Sequence, residues 1–487
     1  MRDTSTAPEK IGEPLAEPTA EPKRSRYDRS IVEGPLARAV WKIAWPTMLT
    51  NVIGGLQGLI DHILVGNFVG PRGNAAIGVS IQLWIVVIVF ISSIFIGMSV
   101  LVARFVGAGD EGKVNRTVYQ AFLTATFMGF AILAPIGYFA APYLLDVVNA
   151  APEVKTEALP FLRIMYVFSG GMLIFFMLGG ALRSAGDAQT PMVLGIVMTC
   201  LNLVLSIVLI LGLGPIPAFG TTGAAMGTVM ASGAVAVYAL WKLARGGWVV
   251  SFPKGGYAPD WDIIKKLFKF GLPAGFQGIA MNIGGVAMLA FIGSLAQSAA
   301  AQAAYAVSYV QVFSLVTWTS MGLMGAAAAV AGQNLGAGHP DRALQAVHTA
   351  ARFGLLGATF LGIFFFFFPQ QILWLFGMAD DPVVLAIGTQ LLRVLSLSGL
   401  FIAMALTYTG GLQGTGDTKS PLYISIISQL ILPLGICFIV QQTIGLEPVY
   451  IWLAILAGHF TRFLLSIVRF RQGRWRSITV DISVSPN

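Results

Sequence analysis

Long stretches without any charged residue constrain this chain more than any other feature. Residues 77–103, 118–141 and 421–440 contain no Asp, Glu, Lys or Arg. A segment of about 20 apolar residues is long enough to cross the hydrocarbon core of a bilayer. Because that core offers no water to the backbone, a crossing segment must satisfy its own hydrogen bonds, as a helix does. The stretches lack the polar–apolar alternation of a membrane β-barrel, so we predict an all-α membrane protein.

Composition supports a membrane protein and limits the other classes. Hydrophobic residues make up 56% of the 487 positions and charged residues 11%, whereas soluble domains carry about 25% charged residues. Cys200 and Cys437 lie within apolar runs, which is typical of small buried hydrophobic residues and not of a disulfide or a metal site. Residues 1–39 are polar, lack the apolar core of a signal peptide and are predicted to be a disordered tail. We expect neither a metal nor an organic cofactor.

Hydropathy and punctuation by Gly and Pro predict twelve spans, and the basic residues orient them. The predicted spans are 40–64, 77–103, 117–141, 159–182, 191–213, 222–243, 269–294, 304–331, 345–368, 384–409, 421–440 and 448–468. The two tails and the even-numbered connections together carry 24 Lys and Arg, whereas the opposite side carries only Arg72 and Lys155. This bias predicts that both termini are cytoplasmic in a multi-pass protein of the plasma membrane, the inner membrane of a prokaryote. Topology and affinity for anionic lipid explain the net charge of +8, and no nucleic-acid partner is expected.

The sequence repeats itself with an offset of 227 to 230 residues. Two examples are Gly107-Ala-Gly109, which matches Gly336-Ala-Gly338, and a Gly-Asp-x-x-x-Pro loop at 186–191, which matches one at 416–421. The matches predict an N-lobe at 40–243, a cytoplasmic linker at 244–268, a C-lobe at 269–468 and a basic tail at 469–487. Each lobe has six spans, an even number, so the repeat is parallel. Secondary transporters use such repeats and place their binding sites where the repeats meet.

Asp61 is the only acidic residue that falls inside a predicted span. An Asp at bilayer depth costs about 2.5–3.5 kcal/mol on insertion scales. We therefore expect its carboxyl to face the bundle interior and to have either a partner or a bound proton. The repeat places Asp61 opposite residues 287–289, which include no acid, so this group belongs to one lobe only. A coupling role is the functional interpretation, and a structurally paired or interfacial acid is the alternative.

Three other residues of the first span accompany this acid. Gln57 lies one helical turn before Asp61 on the same face, where it is either a hydrogen-bond donor or a polar cavity wall. His62 points about 100° away and is interpreted as an interhelical or interfacial histidine. Pro46 removes one helical hydrogen bond, which predicts either a hinge or the start of the span.

The chain resembles the multidrug and toxic compound extrusion (MATE) family, and within it the DinF-like branch. The resemblance rests on Ala44-Trp-Pro46 with Asp61 fifteen residues later, on the paired Gly-Asp-x-x-x-Pro loops, and on Gly220-Thr-Thr-Gly-Ala-Ala-Met-Gly-Thr228 before the sixth span. It covers about residues 40–468. It implies a V-shaped pair of lobes that exports amphipathic, often cationic compounds by antiport with H⁺ or Na⁺.

The resemblance also implies which residues couple the ion. An acid on the first helix is the family's coupling residue, and Asp61 matches it. The fifth helix of the family usually carries Asn-x-x-x-Asp, whereas this chain has Asn202 and then Ser206. Thr228 matches a threonine of the same network. Because Na⁺ prefers several oxygen ligands with compensating charge, the missing second acid favours H⁺. Asn202 remains open to a purely interhelical role.

Several further interpretations complete the sequence-based account. Family acids on helices 7 and 10 have no match, and Gln277 and Asn282 are the nearest polar groups on helix 7. A lipid-linked-precursor flippase of the same superfamily is an alternative, but it needs a cationic cavity, and Arg163, Arg393 and Arg462 are predicted near span ends. A membrane-embedded enzyme would need clustered acids at depth, which the sequence lacks. We predict no enzymatic activity and a monomer whose partners are membrane lipid and a small amphipathic substrate.

Overall fold

The computed structural model describes residues 26–212, 214–378 and 380–481. In this part of the chain eleven helices are long and apolar enough to span a membrane, and one bent pair of helices completes a set of twelve. We number them α1 Leu36–Phe68, α2 Pro71–Gly107, α3 Glu111–Val147, α4 Pro152–Val167 with Gly170–Ser184, α5 Gln189–Leu211, α6 Thr221–Ala244, α7 Trp261–Gly293, α8 Ser298–Gly336, α9 Pro340–Phe367, α10 Pro382–Thr415, α11 Lys419–Thr443 and α12 Pro448–Arg471. The described residues contain no strand.

The twelve predicted spans each coincide with one of these helices, which confirms the all-α membrane fold. Most helices are longer than the predicted spans, because polar residues that flank an apolar run can also adopt helical structure. Helix α7 begins at Trp261, inside the segment predicted as the linker, where the Asp260 carboxylate accepts hydrogen bonds from the backbone N–H groups of Asp262 and Ile263. Such a cap satisfies donors that the first helical turn leaves free.

Residues 26–39 are ordered, which corrects the prediction that the whole of 1–39 is disordered; residues 1–25 lie outside the described part. A short helix at Ser30–Glu33 precedes α1, and Ile31 is completely buried. This buried apolar side chain, together with hydrogen bonds from Asn334 and Arg342 to the segment's backbone, holds in place a segment that its composition marked as polar. We call residues 26–35 the N-terminal strap, and the membrane side where it lies with residue 481 the termini face.

The two lobes meet through quasi-equivalent helices. Helix α1 packs against α8, and α2 packs against α7, which are the pairs that exchange under the sequence repeat. Each lobe has its own cluster of buried apolar side chains. A third cluster, which includes Ile31, Ala44, Leu323 and Trp475, joins the lobes and both terminal segments.

Two glycines related by the repeat close the termini face. A Cβ atom on Gly107 would lie 1.9 Å from the carbonyl oxygen of Gln333, and one on Gly336 would lie 2.1 Å from that of Arg104. The ends of α2 and α8 therefore cross backbone to backbone, at a distance that only glycine permits. Arg104 adds a hydrogen bond of 3.1 Å from Nη2 to the carbonyl of Thr415 on α10.

Candidate functional site

A cavity of about 550 Å³ lies in the N-lobe, where Trp318 and Met321 of α8 complete its wall. The other described lining residues come from α1, α2, α4, α5 and α6. Most of them are aromatic rings, methionines, aliphatic side chains and glycines, among them Trp84, Phe175 and Met198. This composition is typical of small-molecule sites, in which a few polar groups orient a ligand within apolar walls.

Asp61 is the one acidic residue among the described lining residues of this cavity, which include no Lys or Arg. Its Oδ1 atom is buried and accepts no hydrogen bond from any residue that the structure describes. The side chain therefore faces the bundle interior, as the sequence predicted, but the described part of the chain offers its Oδ1 atom no hydrogen-bond donor. A carboxyl in such a place either holds a proton or meets a bound cation, because an unpaired buried charge is strongly unfavourable.

A second polar group of α1 lines the same cavity. Gln57 Oε1 accepts a hydrogen bond of 2.9 Å from Thr199 Oγ1 on α5. This contact fixes the amide of Gln57 on the cavity wall, one helical turn from Asp61. Gln57 thus takes the wall position that was one of its two predicted roles.

A small polar network joins α5 to α6 at the edge of this cavity. Asn202 Nδ2 donates to Thr228 Oγ1 at 3.0 Å and lies 3.4 Å from Ser206 Oγ. Thr228 lines the cavity, whereas Asn202 and Ser206 are buried behind it. Asn202 Oδ1 is buried without a hydrogen-bond partner among the described residues. The structure thus places a free carboxylate oxygen and a free amide oxygen in and beside one cavity.

Ser206 lies at a close contact between α5 and α6. A Cβ atom on Gly227 of α6 would lie 2.5 Å from Ser206 Oγ and 2.9 Å from its backbone nitrogen. Helices α5 and α6 therefore approach closely at this point. The serine that stands where the resemblance implies an acid lies at this close contact.

The structure does not bring Gln277 and Asn282 to the Asp61 cavity. Gln277 of α7 is buried in the C-lobe, where its Nε2 donates to Ser425 Oγ at 2.8 Å and its Oε1 accepts from Gln413 at 3.2 Å. Asn282 Nδ2 donates to the carbonyl of Gly278 in its own helix, at 2.9 Å. Neither side chain is among the described lining residues of that cavity.

The other singled-out residues of α1 have clear places. Pro46 lies ten residues inside α1, so it does not start the helix. Thr50 Oγ1 donates to the carbonyl of Pro46 at 2.8 Å, and such back-bonding often bends helices. His62 Nδ1 lies 2.6 Å from Asn74 Oδ1, which is the interhelical contact expected for it.

Sequence reasoning missed three residues that line the space between the lobes. Asn51 lines the Asp61 cavity and also a second cavity of about 220 Å³, and its Nδ2 donates to the carbonyl of Trp318 at 3.2 Å. Arg183 lines the second cavity as well, although the sequence counted it as a loop charge. Asn51 and Trp318 could have been found from the sequence, because each is a polar or bulky aromatic residue within a predicted span. No feature of the sequence distinguished Arg183 from other basic residues in loops.

The basic residues considered for a cationic cavity differ in their surroundings. Arg163 is partly buried and Arg393 is exposed, and they stack over the rings of Tyr138 and Phe366, respectively. Arg462, by contrast, is 1% exposed and lies nine residues before the end of α12. Its sequence position near the end of the predicted span did not reveal that neighbouring helices cover it.

A family model described as MatE matches residues 46–208 and 273–439 of this chain. The two matched segments fall in the two lobes, so the family comparison finds the same repeat.

Two curated relatives match almost the whole chain. It is 27% identical over 446 residues to the probable multidrug resistance protein NorM of Thermotoga maritima, covering 90% of this chain and 93% of that protein. It is 25% identical over 442 residues to the multidrug resistance protein MdtK of Yersinia pseudotuberculosis, covering 89% of this chain and 95% of that protein.

The fold is similar to that of solved transporters. One is a multidrug resistance MATE family transporter of the MOP superfamily in an outward-facing conformation, with a TM-score of 0.84, 22% identity and coverage of 94% of this chain and 98% of the other. Another is a MOP superfamily transporter from Pyrococcus furiosus, with a TM-score of 0.83, 21% identity and the same coverage. At these identities the similarity shows that the fold is shared and nothing further.

Proposed function

We propose, from the premise that this chain belongs to the MatE family of transporters, that it exports amphipathic cations in exchange for protons bound at Asp61. The observation that carries the proposal is the unpartnered Asp61 carboxyl in a cavity whose other walls are mainly apolar and aromatic. An amphipathic cation would bury its apolar body against those walls and offer its charge to the carboxylate.

Competition for one carboxylate supplies the coupling. A proton that neutralises Asp61 removes the charge that attracts a cationic substrate, and a bound cation disfavours the protonated carboxyl. Each ligand therefore weakens the binding of the other, and by linkage the effect is equal in both directions. One unit of pH difference across the membrane supplies ~1.4 kcal/mol per proton for expulsion of the substrate.

The closed termini face gives the exchange a direction. The excess of Lys and Arg on that face supports a cytoplasmic location for both termini in the plasma membrane. With the crossing of Gly107 and Gly336 sealing that face, this conformation is one closed to the cytoplasm. Protonation of Asp61 in this state would release the substrate to the outside before the lobes rock.

The cavity also bears on the choice of ion and on the flippase alternative. Asp61 is the one carboxylate among the described lining residues, which supports H⁺ over Na⁺, although Asn202 Oδ1 and Thr228 would be the oxygens available to Na⁺. A carrier of pyrophosphate-linked lipids would need a cationic cavity, and no described Lys or Arg lines the Asp61 cavity.

Transport by reconstituted protein tests the proposal. In proteoliposomes, an imposed pH gradient should drive ethidium transport by the wild type, and Asp61→Asn should reduce the initial rate by about tenfold or more, equal to ~1.4 kcal/mol. Asp146→Asn removes an exposed carboxylate that pairs with Lys155 and should transport normally. A Na⁺ gradient imposed without a pH gradient is the third arm. Normal transport by Asp61→Asn would overturn the proposal. Transport driven only by the Na⁺ gradient would show that Na⁺, not H⁺, is the coupling ion.

A further inference from the structure

The C-lobe contains a separate cavity of about 160 Å³ between α7, α8, α11 and α12. Its described lining residues include Met281, Gly285, Met288, Tyr305, Tyr309 and His459. An apolar cavity of about 150 Å³ is large enough to hold benzene. This cavity therefore has room for a ligand of about that size.

The sequence repeat makes this cavity the counterpart of the Asp61 cavity. At the offset of 227 residues, Met288 of α7 occupies the place of Asp61 and Gly284 the place of Gln57. At an offset of 228, Tyr305 of α8 stands where Ile77 lines the N-lobe cavity. The two lobes thus hold equivalent cavities, but the described lining of the C-lobe cavity includes no carboxylate.

A buried arginine adjoins the C-lobe cavity instead. Arg462 is 1% exposed and interacts electrostatically with Tyr309 and His459, two of the lining residues. Its Nη1 atom lies 4.0 Å from Met281 Sδ, a weak acceptor, and its Nε atom has no hydrogen-bond partner among the described residues. Guanidinium groups stay charged inside proteins, and a buried charge without a counter-charge is strongly unfavourable.

His459 contributes a second free polar atom to the same cavity. It is 2% exposed, and its Nδ1 atom has no hydrogen-bond partner in the described part of the chain. Its ring stacks on Phe313 and Tyr309, at centroid distances of 5.8 and 6.5 Å. The cavity thus combines a cation and a free ring nitrogen with flat aromatic faces.

Two of the helices that line the cavity contain π-helical segments. Tyr309 lies in the segment Ala306–Val312 of α8, and Ser428 and Gln429 lie in the segment Ile426–Ile431 of α11. The corresponding helices of the N-lobe, α2 and α5, are described without such segments. Because π-helical turns are frequent at functional sites, their presence on two walls indicates a site shaped for a ligand.

We propose that the C-lobe cavity binds a small monovalent anion, with the Arg462 guanidinium as its counter-charge. One fixed cation calls for one negative charge, and the aromatic and methionine walls suit a carboxylate with a small flat apolar body. An inorganic anion of similar size offers the same charge to Arg462. The inference does not depend on Asp61 or on the ion that drives transport.

Equilibrium binding to the purified full-length protein in lipid nanodiscs tests the site, with radiolabelled benzoate and chloride as separate probes. We expect saturable binding that Arg462→Gln weakens by at least about tenfold, because truncation of a buried charge partner is costly. Gly285→Leu keeps the arginine and adds a side chain at a residue that lines the cavity, and it should weaken binding. Arg393→Gln removes an exposed arginine of the same lobe and should bind normally, as should Asp61→Asn.

The two probes and the variants separate the outcomes. Saturable benzoate binding identifies an organic carboxylate site, whereas saturable binding of chloride alone identifies an inorganic anion at the same arginine. If Arg462→Gln does not fold, the binding measured with Gly285→Leu alone tests whether the anion occupies this cavity. The inference is overturned if neither probe binds saturably, or if the folded Arg462→Gln and Gly285→Leu proteins bind like the wild type. Normal export by Asp61→Asn would overturn the proposed function but would leave these binding results unchanged.

Discussion

At the residue scale, the surroundings of Asp61 set it apart from the loop acids. Asp110, Asp187 and Asp417 each accept a hydrogen bond from a backbone N–H three residues further along the chain. Those carboxylates therefore accept hydrogen bonds from the backbone at turns and at helix N-termini. The Oδ1 atom of Asp61 has no described partner, so it remains available to a transported ion or substrate.

Asp28 provides a matched titratable group outside the membrane. Burial alone raises the pKa of Asp28, but hydrogen bonds from Lys42 and Ser30 outweigh burial and hold the pKa below its usual value. A carboxyl whose pKa is lower in the folded than in the unfolded protein stabilises the folded state at pH values above the usual Asp pKa of about 3.9. That stabilisation is lost only as the pH falls through the lower folded pKa, so Asp28 stays charged across the neutral range.

The pH dependence of substrate binding should therefore follow Asp61 and not Asp28. We expect the wild type to bind ethidium more tightly as the pH rises, because deprotonation of Asp61 supplies the attracting charge. Asp28→Asn should retain this dependence, and Asp61→Asn should show a flat, weak profile in fluorescence titrations. A flat wild-type profile, or an unchanged slope in Asp61→Asn, would contradict the assignment.

The sequence predicted some residues of the site and not others, for physical reasons. Asp61 was identifiable because a lone carboxyl within an apolar span is costly and therefore informative. Asn51 carries no charge, so its place between the lobes depended on the rotation of α1. Arg462 and Arg183 differ from exposed arginines only in which helices cover them, and sequence gives no measure of that.

At the element scale, several of the membrane-spanning helices depart from a straight, regular α-helix. Helix α4 bends by 50° between its two segments, and α1 carries Pro46 in its interior. The apolar runs predicted where each span lies, because burial in lipid depends on composition. They did not predict the bends or the π-helical segments, since those depend on hydrogen bonds and neighbours that composition does not encode.

The crossing of α2 and α8 should be sensitive to a single methyl group. Gly336→Ala places a Cβ atom 2.1 Å from the carbonyl oxygen of Arg104, and such overpacking costs about 1–3 kcal/mol. We expect the variant to populate conformations open at the termini face. Labelling of Ala328→Cys, which lines the space between the lobes, in a Cys200→Ser, Cys437→Ser background should become faster from that side.

A glycine in open surroundings provides the control for this prediction. Gly357 lies within α9, and a Cβ atom there meets nothing within 4 Å. Gly357→Ala should leave the labelling rate unchanged. Equal labelling of Ala328→Cys in the Gly336→Ala and Gly357→Ala proteins would show that the crossing does not close the face.

At the scale of the whole molecule, the N-terminal strap ties the two lobes together. Arg26 bonds to the carbonyls of Gly246 and Trp248 after α6. On the C-lobe side, Asn334 donates to the carbonyl of Ile31 at 3.3 Å and Arg342 to that of Gly34 at 2.8 Å. These contacts hold the termini face closed in addition to the glycine crossing.

Loosening the strap should shift the molecule away from this closed state. Ile31→Asp would place a carboxylate where the side chain is completely buried, which is strongly unfavourable. We expect faster labelling of Ala328→Cys from the termini face with little change in thermal stability, because the cores of the lobes remain intact. Glu33→Gln, which alters an exposed strap residue paired with Arg29, should behave as the wild type. Slow labelling of Ile31→Asp would argue against a closing role.

Proton release on substrate binding tests the central claim most directly. Ethidium or tetraphenylphosphonium would be added to the purified protein in weakly buffered solution, with a pH indicator to count protons. We predict that the wild type and Asp28→Asn release up to one proton per bound cation near the pH at which Asp61 titrates, and that Asp61→Asn releases none. Binding without proton release by the wild type throughout the neutral range, or undiminished release by Asp61→Asn, would contradict the account.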